Sequence, residues 1–166
     1  MGYYIMTFLT LGLFIYVFVD SFPEIKIDTP QTPESVFVRL VRVIDGDTIK
    51  IIEKDTEHNV RLIGIDAPEM SDCGGTQSRS VLENLLKGKE ILLEADPTQG
   101  NTDKYDRLLR YVFTNDNINI NEQMIKRGEA REYTYDKPYK YVDLFISAEN
   151  TAKDENLGIW SDRCEN

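Results

Sequence analysis

The sequence predicts an α+β domain: a five-stranded β-barrel with three helices, preceded by an N-terminal hydrophobic helix and a linker. Three observations predict it. Five short runs rich in β-branched residues lie between residues 36 and 113, one amphipathic stretch follows the third run, and two helix-like stretches follow the fifth. With 166 residues, 41% of them hydrophobic, the chain is long enough for one cored domain and little more.

Residues 1–19 contain no charged side chain before position 20, and Tyr3–Val19 is an apolar and aromatic run. That is close to the lower limit of roughly 17 residues for a membrane span. No Lys or Arg precedes the run and no small-residue cleavage site is well defined near Val19, so a membrane anchor is expected over a cleaved signal segment. Neither flank is rich in basic residues, so orientation is weakly specified; an exported domain, anchored or released by cleavage, is the expectation. Residues 20–35 carry Pro23, Pro30 and Pro33 among Asp, Glu, Thr and Ser, which is the composition of an extended linker.

The domain proper is expected at 36–162, with 163–166 as a tail. Val36–Ile44, Thr48–Glu53 and Val60–Asp66 read as three consecutive antiparallel strands, separated by Asp45-Gly46 and by polar residues 54–59. Val81, Leu82, Leu85 and Leu86 share a helical face, so 78–87 is expected as a helix capped by Ser78 and stopped by Gly88. Ile91–Glu94 and Leu108–Phe113 are the fourth and fifth strands. Asn121 can cap a helix through Met124 and Ile125 to Gly128, and Pro138 can open another, carrying Val142, Phe145, Ile146 and Ala152 and ended by Gly158. A helix after the third strand and two at the end describe an OB-type barrel, whose strand faces and loops bind oligonucleotides.

Charge narrows the function. The 19 basic and 29 acidic residues leave a net charge of −10, which repels a polyanion at long range and excludes non-specific nucleic-acid coating. Any phosphate site must be local. Cys73 and Cys164 are too few and too far apart for a close-pair zinc site. They either bridge the loop after Glu69 to the C-terminal tail or remain two unpaired thiols.

Asp45-Gly46-Asp47-Thr48 and Arg61-Leu62-Ile63-Gly64-Ile65-Asp66-Ala67-Pro68-Glu69 place four carboxylates and an arginine two short strands apart. A turn needs Asp-Gly but not the other acids or the arginine. Oxygen ligands suit a hard cation, a guanidinium fork suits phosphate, and a spare carboxylate suits proton transfer. Arg61 and Asp66 are five residues apart, which on a straight strand means opposite faces and a separation of roughly 16 Å. They share a site only if the strand curls or bulges, and Gly64 is the expected place.

A third segment, Thr102-Asp103-Lys104-Tyr105-Asp106-Arg107, enters the fifth strand. Asp-Gly-Asp-Thr, Arg-Leu-x-Gly-Ile-Asp-Ala-Pro-Glu, Asp-Lys-Tyr-x-Arg, Asn-Glu with a downstream Gly-x-Ala, and Gly-Ile-Trp-Ser together resemble the staphylococcal nuclease (thermonuclease) family in order and spacing. The resemblance spans about residues 36–161. It implies Ca2+ held by Asp47, Asp66 and the carbonyl of Ala67, with Asp45 close behind, and catalysis by Arg61, Glu69 and Arg107. Tyr105 and either Tyr133 or Tyr135 match tyrosines that line the nucleotide pocket. The implied activity is that of a monomeric Ca2+-dependent endonuclease on DNA, with RNA left open, yielding 3′-phosphates. Asp106 departs from the family pattern, standing where a glycine often precedes the arginine. The competing readings are a non-catalytic OB-type module that binds nucleic acid or protein at the membrane surface, and a membrane-anchored interaction protein with an acidic face.

Overall fold

The computed structural model describes residues 36–164, so the expected anchor (1–19) and linker (20–35) lie outside the described residues. Among those described, no helix is long and apolar enough to cross a membrane.

Among the described residues seven strands and three α-helices follow one another as β1 (Val36–Val43), β2 (Thr48–Glu53), β3 (Thr56–Leu62), β4 (Ile65–Asp66), α1 (Gly75–Leu86), β5 (Ile91–Glu94), β6 (Leu108–Thr114), α2 (Ile120–Lys126), β7 (Arg131–Glu132) and α3 (Val142–Asp154). Two 3-10 turns, Gly158–Trp160 and Asp162–Cys164, come last. Strands β1, β2, β3, β6 and β5 close a barrel in that order, while β4 and β7 form a separate antiparallel pair. The closing contact is parallel, β3 on β6, with Arg61 beside Leu109. The barrel with three helices is the architecture expected from the sequence.

The interior of the barrel is filled by the alternating residues that β-branched strands supply. Val43, Ile49, Ile51, Val60, Leu62, Ile91, Leu93 and Tyr111 are all under 5% exposed. Leu82 and Leu86 of α1, Met124 and Ile125 of α2 and Phe145 of α3 complete the same core.

Several boundaries differ from expectation for local reasons. The loop before β3 is only Lys54-Asp55, both at positive φ in a tight hairpin, so β3 starts at Thr56 and His58 sits on a strand, not in a loop. Helix α1 begins three residues early, after Gly74, and Ser78 is no cap: it is buried within the helix and its Oγ donates to the Glu129 carbonyl at 2.7 Å. The cap of α2 is Asn119, whose side chain accepts from the Glu122 amide, not Asn121. Pro138 does not open α3, which starts at Val142, and α3 ends at Asp154, before Gly158. Tyr139, which reads as a solvated helix residue, is buried, and its hydroxyl donates to Glu132 Oε1 at 2.9 Å. For Ser78 and Tyr139 the difference has one cause: the side chain found a tertiary partner that local sequence does not show.

Candidate active site

Strand pairing brings the pieces together. Thr48 on β2 lies opposite Arg61 on β3, so Asp47 stands at the rim next to the arginine. The Leu62 amide donates to the Asp47 carbonyl at 2.9 Å and ties the rim to β3. Gly46 is not at positive φ. It is glycine for room, since a Cβ there would lie 1.9 Å from Ser78 Oγ and 2.6 Å from Ala67 Cβ. The Asp-Gly pair thus lets α1 and the Ala67 loop approach the turn, which is a packing role and not the left-handed turn that the dipeptide suggests.

The chain curls after β3, as the five-residue spacing requires. Gly64 has φ +77°, and a side chain there would meet the Tyr139 ring at 2.6 Å. Arg61 is folded into the curl: its Nη1 donates to the carbonyls of Leu62 (2.9 Å) and Ile65 (2.7 Å). Its Nη2 reaches Asp47 Oδ2 at 3.1 Å and Asp66 Oδ1 at 3.5 Å. The separation of roughly 16 Å for a straight strand has collapsed to one ion pair. Asn121, fully buried, fastens the same curl by donating to the Ile63 carbonyl at 2.8 Å while accepting from the Val112 amide at 3.0 Å. The sequence reading misses this clamp because it assigns Asn121 to a cap.

Asp47 is 7% exposed and accepts from the Ala67 amide at 3.0 Å and from Thr48 Oγ1 at 2.9 Å. Burial pushes its carboxyl up to about 6, against the opposing pull of Arg61 and the Ala67 amide and with Asp45 adding repulsion. Asp45 caps the turn by accepting from the Asp47 amide at 3.0 Å.

From the other side, Arg107 approaches on the loop before β6. Its Nη1 donates to Thr48 Oγ1 at 3.3 Å, and Thr48 donates onward to Asp47. Asp103 holds the guanidinium, with Nε and Nη2 both 2.7 Å from Oδ2. Burial would raise the Asp103 carboxyl, but the amide and guanidinium of Arg107 and the amide of Tyr105 hold it below the usual range. Asp103 was not among the expected site residues, although its place four before Arg107 was the available signal.

These groups line one cavity of about 670 Å3, together with Asp45, Asp66, Ala67, Glu69, Tyr105, Tyr133 and Tyr135. Every residue singled out from the sequence is in that lining. Tyr105 is 68% exposed with Arg107 and Lys104 over its ring, and Tyr135 is 77% exposed with its ring 6.3 Å from that of Tyr133. A cavity of this size with basic groups and open aromatic faces is chemically suited to a phosphate joined to a base.

Comparison with known proteins agrees. The model of the family described as "Staphylococcal nuclease homologue" matches residues 59–162. The chain belongs to the staphylococcal nuclease family. It is 36% identical to the thermonuclease of Staphylococcus intermedius over 155 residues, covering 89% of this chain and 88% of that protein. The endonuclease YncB of Bacillus subtilis is 36% identical, over 83% of this chain and 69% of its own length. An uncharacterized endonuclease of Escherichia coli O157:H7 is 30% identical, over 89% and 88%. The protein is therefore a nuclease, a phosphodiester hydrolase. Within this nuclease Arg61 and Arg107 are both engaged by carboxylates, so neither fork is idle.

Proposed function

We propose that this nuclease is a Ca2+-dependent endonuclease that cuts DNA and leaves a 3′-phosphate. The observation that carries the proposal is the curl at Gly64, which brings Arg61 and Asp66 within 3.5 Å at the rim that Asp47 and Arg107 share.

The donor set fits a hard cation. Asp45, Asp47, Asp66 and Glu69 line the cavity with Arg61, which pairs with Asp47 and Asp66, while Arg107 is already paired with Asp103, so negative charge is in excess. Among the described residues no three His, Cys, Asp or Glu side chains form a ready cage. Asp47, Asp66 and the Ala67 carbonyl would therefore hold the ion together with waters, a mixed oxygen set that Ca2+ accepts more readily than Mg2+ does. When bound, the ion supplies fixed positive charge beside the phosphate.

The chain's own groups do the rest. Glu69, exposed at the rim, takes the proton of the attacking water or orients that water, a contribution of about 10²–10⁴-fold. Arg107 is held side-on by Asp103 and keeps Nη1 and Nη2 hydrogens for phosphate oxygens as their charge grows. Arg61 reaches phosphate only by loosening from Asp66, the weaker of its two carboxylate contacts. Tyr105 and the Tyr133–Tyr135 pair offer faces for the flanking sugar and base. Residues 1–19 and 20–35 are proposed, from composition alone, as anchor or signal segment and linker, with the nuclease domain exported and monomeric.

The test is cleavage of single-stranded DNA by the full chain with Ca2+ and with chelator, the product ends being typed by phosphatase sensitivity. Cleavage that is calcium-dependent, endonucleolytic and 3′-phosphorylated is the expected result. Absence of cleavage by folded protein at every calcium level overturns the proposal.

A further inference from the structure

Among the described residues Glu69 has no side-chain partner. Its carboxylate is exposed and makes no hydrogen bond or ion pair among the described residues, so its position is set by its backbone alone. That backbone is unusually confined. The Asp72 amide donates to the Glu69 carbonyl at 2.8 Å, and the Gly75 amide donates to the Asp72 carbonyl at 3.1 Å. Gly75 is buried under the Glu69 carbonyl so closely that a Cβ would lie 1.9 Å from its oxygen. The loop from Glu69 to Gly75 therefore behaves as one rigid hook on the start of α1.

The hook is fastened from outside by the C-terminal turns. Cys73 and Cys164 are disulfide-bonded across 91 residues of chain. A Cβ built on Gly74, at φ +88°, would sit 3.4 Å from both Arg163 Nη2 and Ile159 Cγ2 and 3.7 Å from Pro68 Cγ, so the tail lies within one side-chain atom's reach of the hook. The tail in turn is locked to the far side of the site. The Ile159 amide donates to the Gly128 carbonyl at 2.7 Å, and Arg163 Nη2 lies 3.6 Å from the buried Glu129 carboxylate. Glu129 leads directly into β7, which pairs Arg131 with Asp66 on β4.

We infer that the Cys73–Cys164 disulfide, with the 3-10 turns it anchors, is a positioning brace that holds Glu69 at a set distance from Asp66 and the two arginines. The inference rests on the reading of Glu69 as the group that handles the water proton. The brace ties Glu69 to the β4–β7 pair by a path that does not pass through the cavity. Cutting it leaves the substrate and cation groups in place but lets the hook swing. Misplacement of about 1 Å costs on the order of 10²-fold in a well-oriented reaction, so the loss appears in turnover and not in binding.

The experiment is a cycle on the full chain with a short single-stranded DNA and saturating Ca2+: wild type, Cys73→Ser/Cys164→Ser, Glu69→Gln, and all three changes together, with circular dichroism at the assay temperature. The expected result is a fall in kcat of about tenfold to a hundredfold in the cysteine variant with KM held within about twofold, and no further fall when Glu69 is already Gln. A cysteine variant with wild-type kcat, or one whose loss is the same in both Glu69 backgrounds, overturns the brace. Wild-type kcat in Glu69→Gln instead overturns the underlying reading of Glu69, whatever the cysteines do. If the cysteine variant melts below assay temperature, the same four-variant cycle is run at a lower temperature at which circular dichroism shows it folded. Loss confined to the Glu69 background supports the brace, and equal loss in both overturns it.

Discussion

Removing Asp103 separates the two jobs of the loop before β6. Its Oδ1 accepts from the amides of Tyr105 (2.9 Å) and Arg107 (3.0 Å), and its Oδ2 accepts Nε and Nη2 of Arg107. One carboxylate therefore shapes the turn and aims the guanidinium. Hydrogen bonds to a charged group contribute about 1.5–3 kcal/mol each when buried. The Asp103 side chain is 16% exposed and its bonds share one rigid turn, so Asp103→Ala is expected to destabilise the domain by about 2–3 kcal/mol in total. Arg107 is then left with the 3.3 Å bond to Thr48 as its one side-chain hydrogen bond, and kcat is expected to fall by about 10²-fold. Asp103→Asn is the decisive companion. It keeps Oδ1 for the two amides but puts an NH2 against the donors of Arg107, so part of the alanine variant's loss of stability should return while kcat falls as in the alanine variant. Urea unfolding gives the first quantity and single-turnover cleavage with Ca2+ the second. Asp103→Asn with wild-type kcat would show that the aim of Arg107 does not matter.

Other perturbations read other parts of the fold. Gly46→Ala forces a methyl to within 1.9 Å of Ser78 Oγ, so a loss of about 1–3 kcal/mol in thermal or urea unfolding is expected, with lower activity because Ala67 is displaced as well. Asn121→Ala orphans the Val112 amide and the Ile63 carbonyl, two buried groups costing about 1–3 kcal/mol each, so the domain should be among its least stable folded variants by urea titration. Asp106 sits at φ +60° beside Arg107, so Asp106→Gly exchanges backbone strain for chain entropy and should change stability by less than about 1 kcal/mol. Removing that charge should lower KM for single-stranded DNA; a raised KM would contradict the electrostatic reasoning. Burial would raise Asp96, but bonds from the Tyr111 hydroxyl, the Lys140 and Thr98 amides and the Thr98 hydroxyl hold it low. A depressed folded value means that its stabilisation is complete above the unfolded carboxylate range and is lost as pH falls through the folded one. Asp96→Asn should therefore be less stable at pH 7 and show a flatter acid limb in pH-dependent melting.

Much of this molecule is legible along the chain because its elements are locally encoded. β-branched runs at 48–53, 91–94 and 108–113 become strands at those places or within a residue of them, since alternating burial needs only period-two apolar residues. The grouping of charged residues at one rim is legible for a different reason. Carboxylates and arginines beyond the needs of a turn mark bound charge, and the curl at Gly64 follows from requiring Arg61 and Asp66 to meet. What fails is any reading in which a polar residue is assigned to its nearest local task. Ser78, Asn121 and Tyr139 look like a cap, a cap and a surface tyrosine, yet their partners are Glu129, Ile63 with Val112, and Glu132.

The sequence by itself determined the barrel, the three helices and six charged residues of one cavity's lining, Asp45, Asp47, Arg61, Asp66, Glu69 and Arg107, but not Asp103. Tertiary structure decided how those groups spend their charge. Parallel closure of β3 on β6 sets Arg107 beside Thr48, the curl turns Arg61 inward onto Asp47, and Asp103 takes the other guanidinium. Side chains separated by 4 to 59 residues compete for the same few partners, and which pairing wins depends on distances that exist only once the barrel has closed. The same holds for the cysteines, which the sequence leaves open as a bridge or two thiols. Their meeting across 91 residues required the last turns to fold back onto the Glu69 loop.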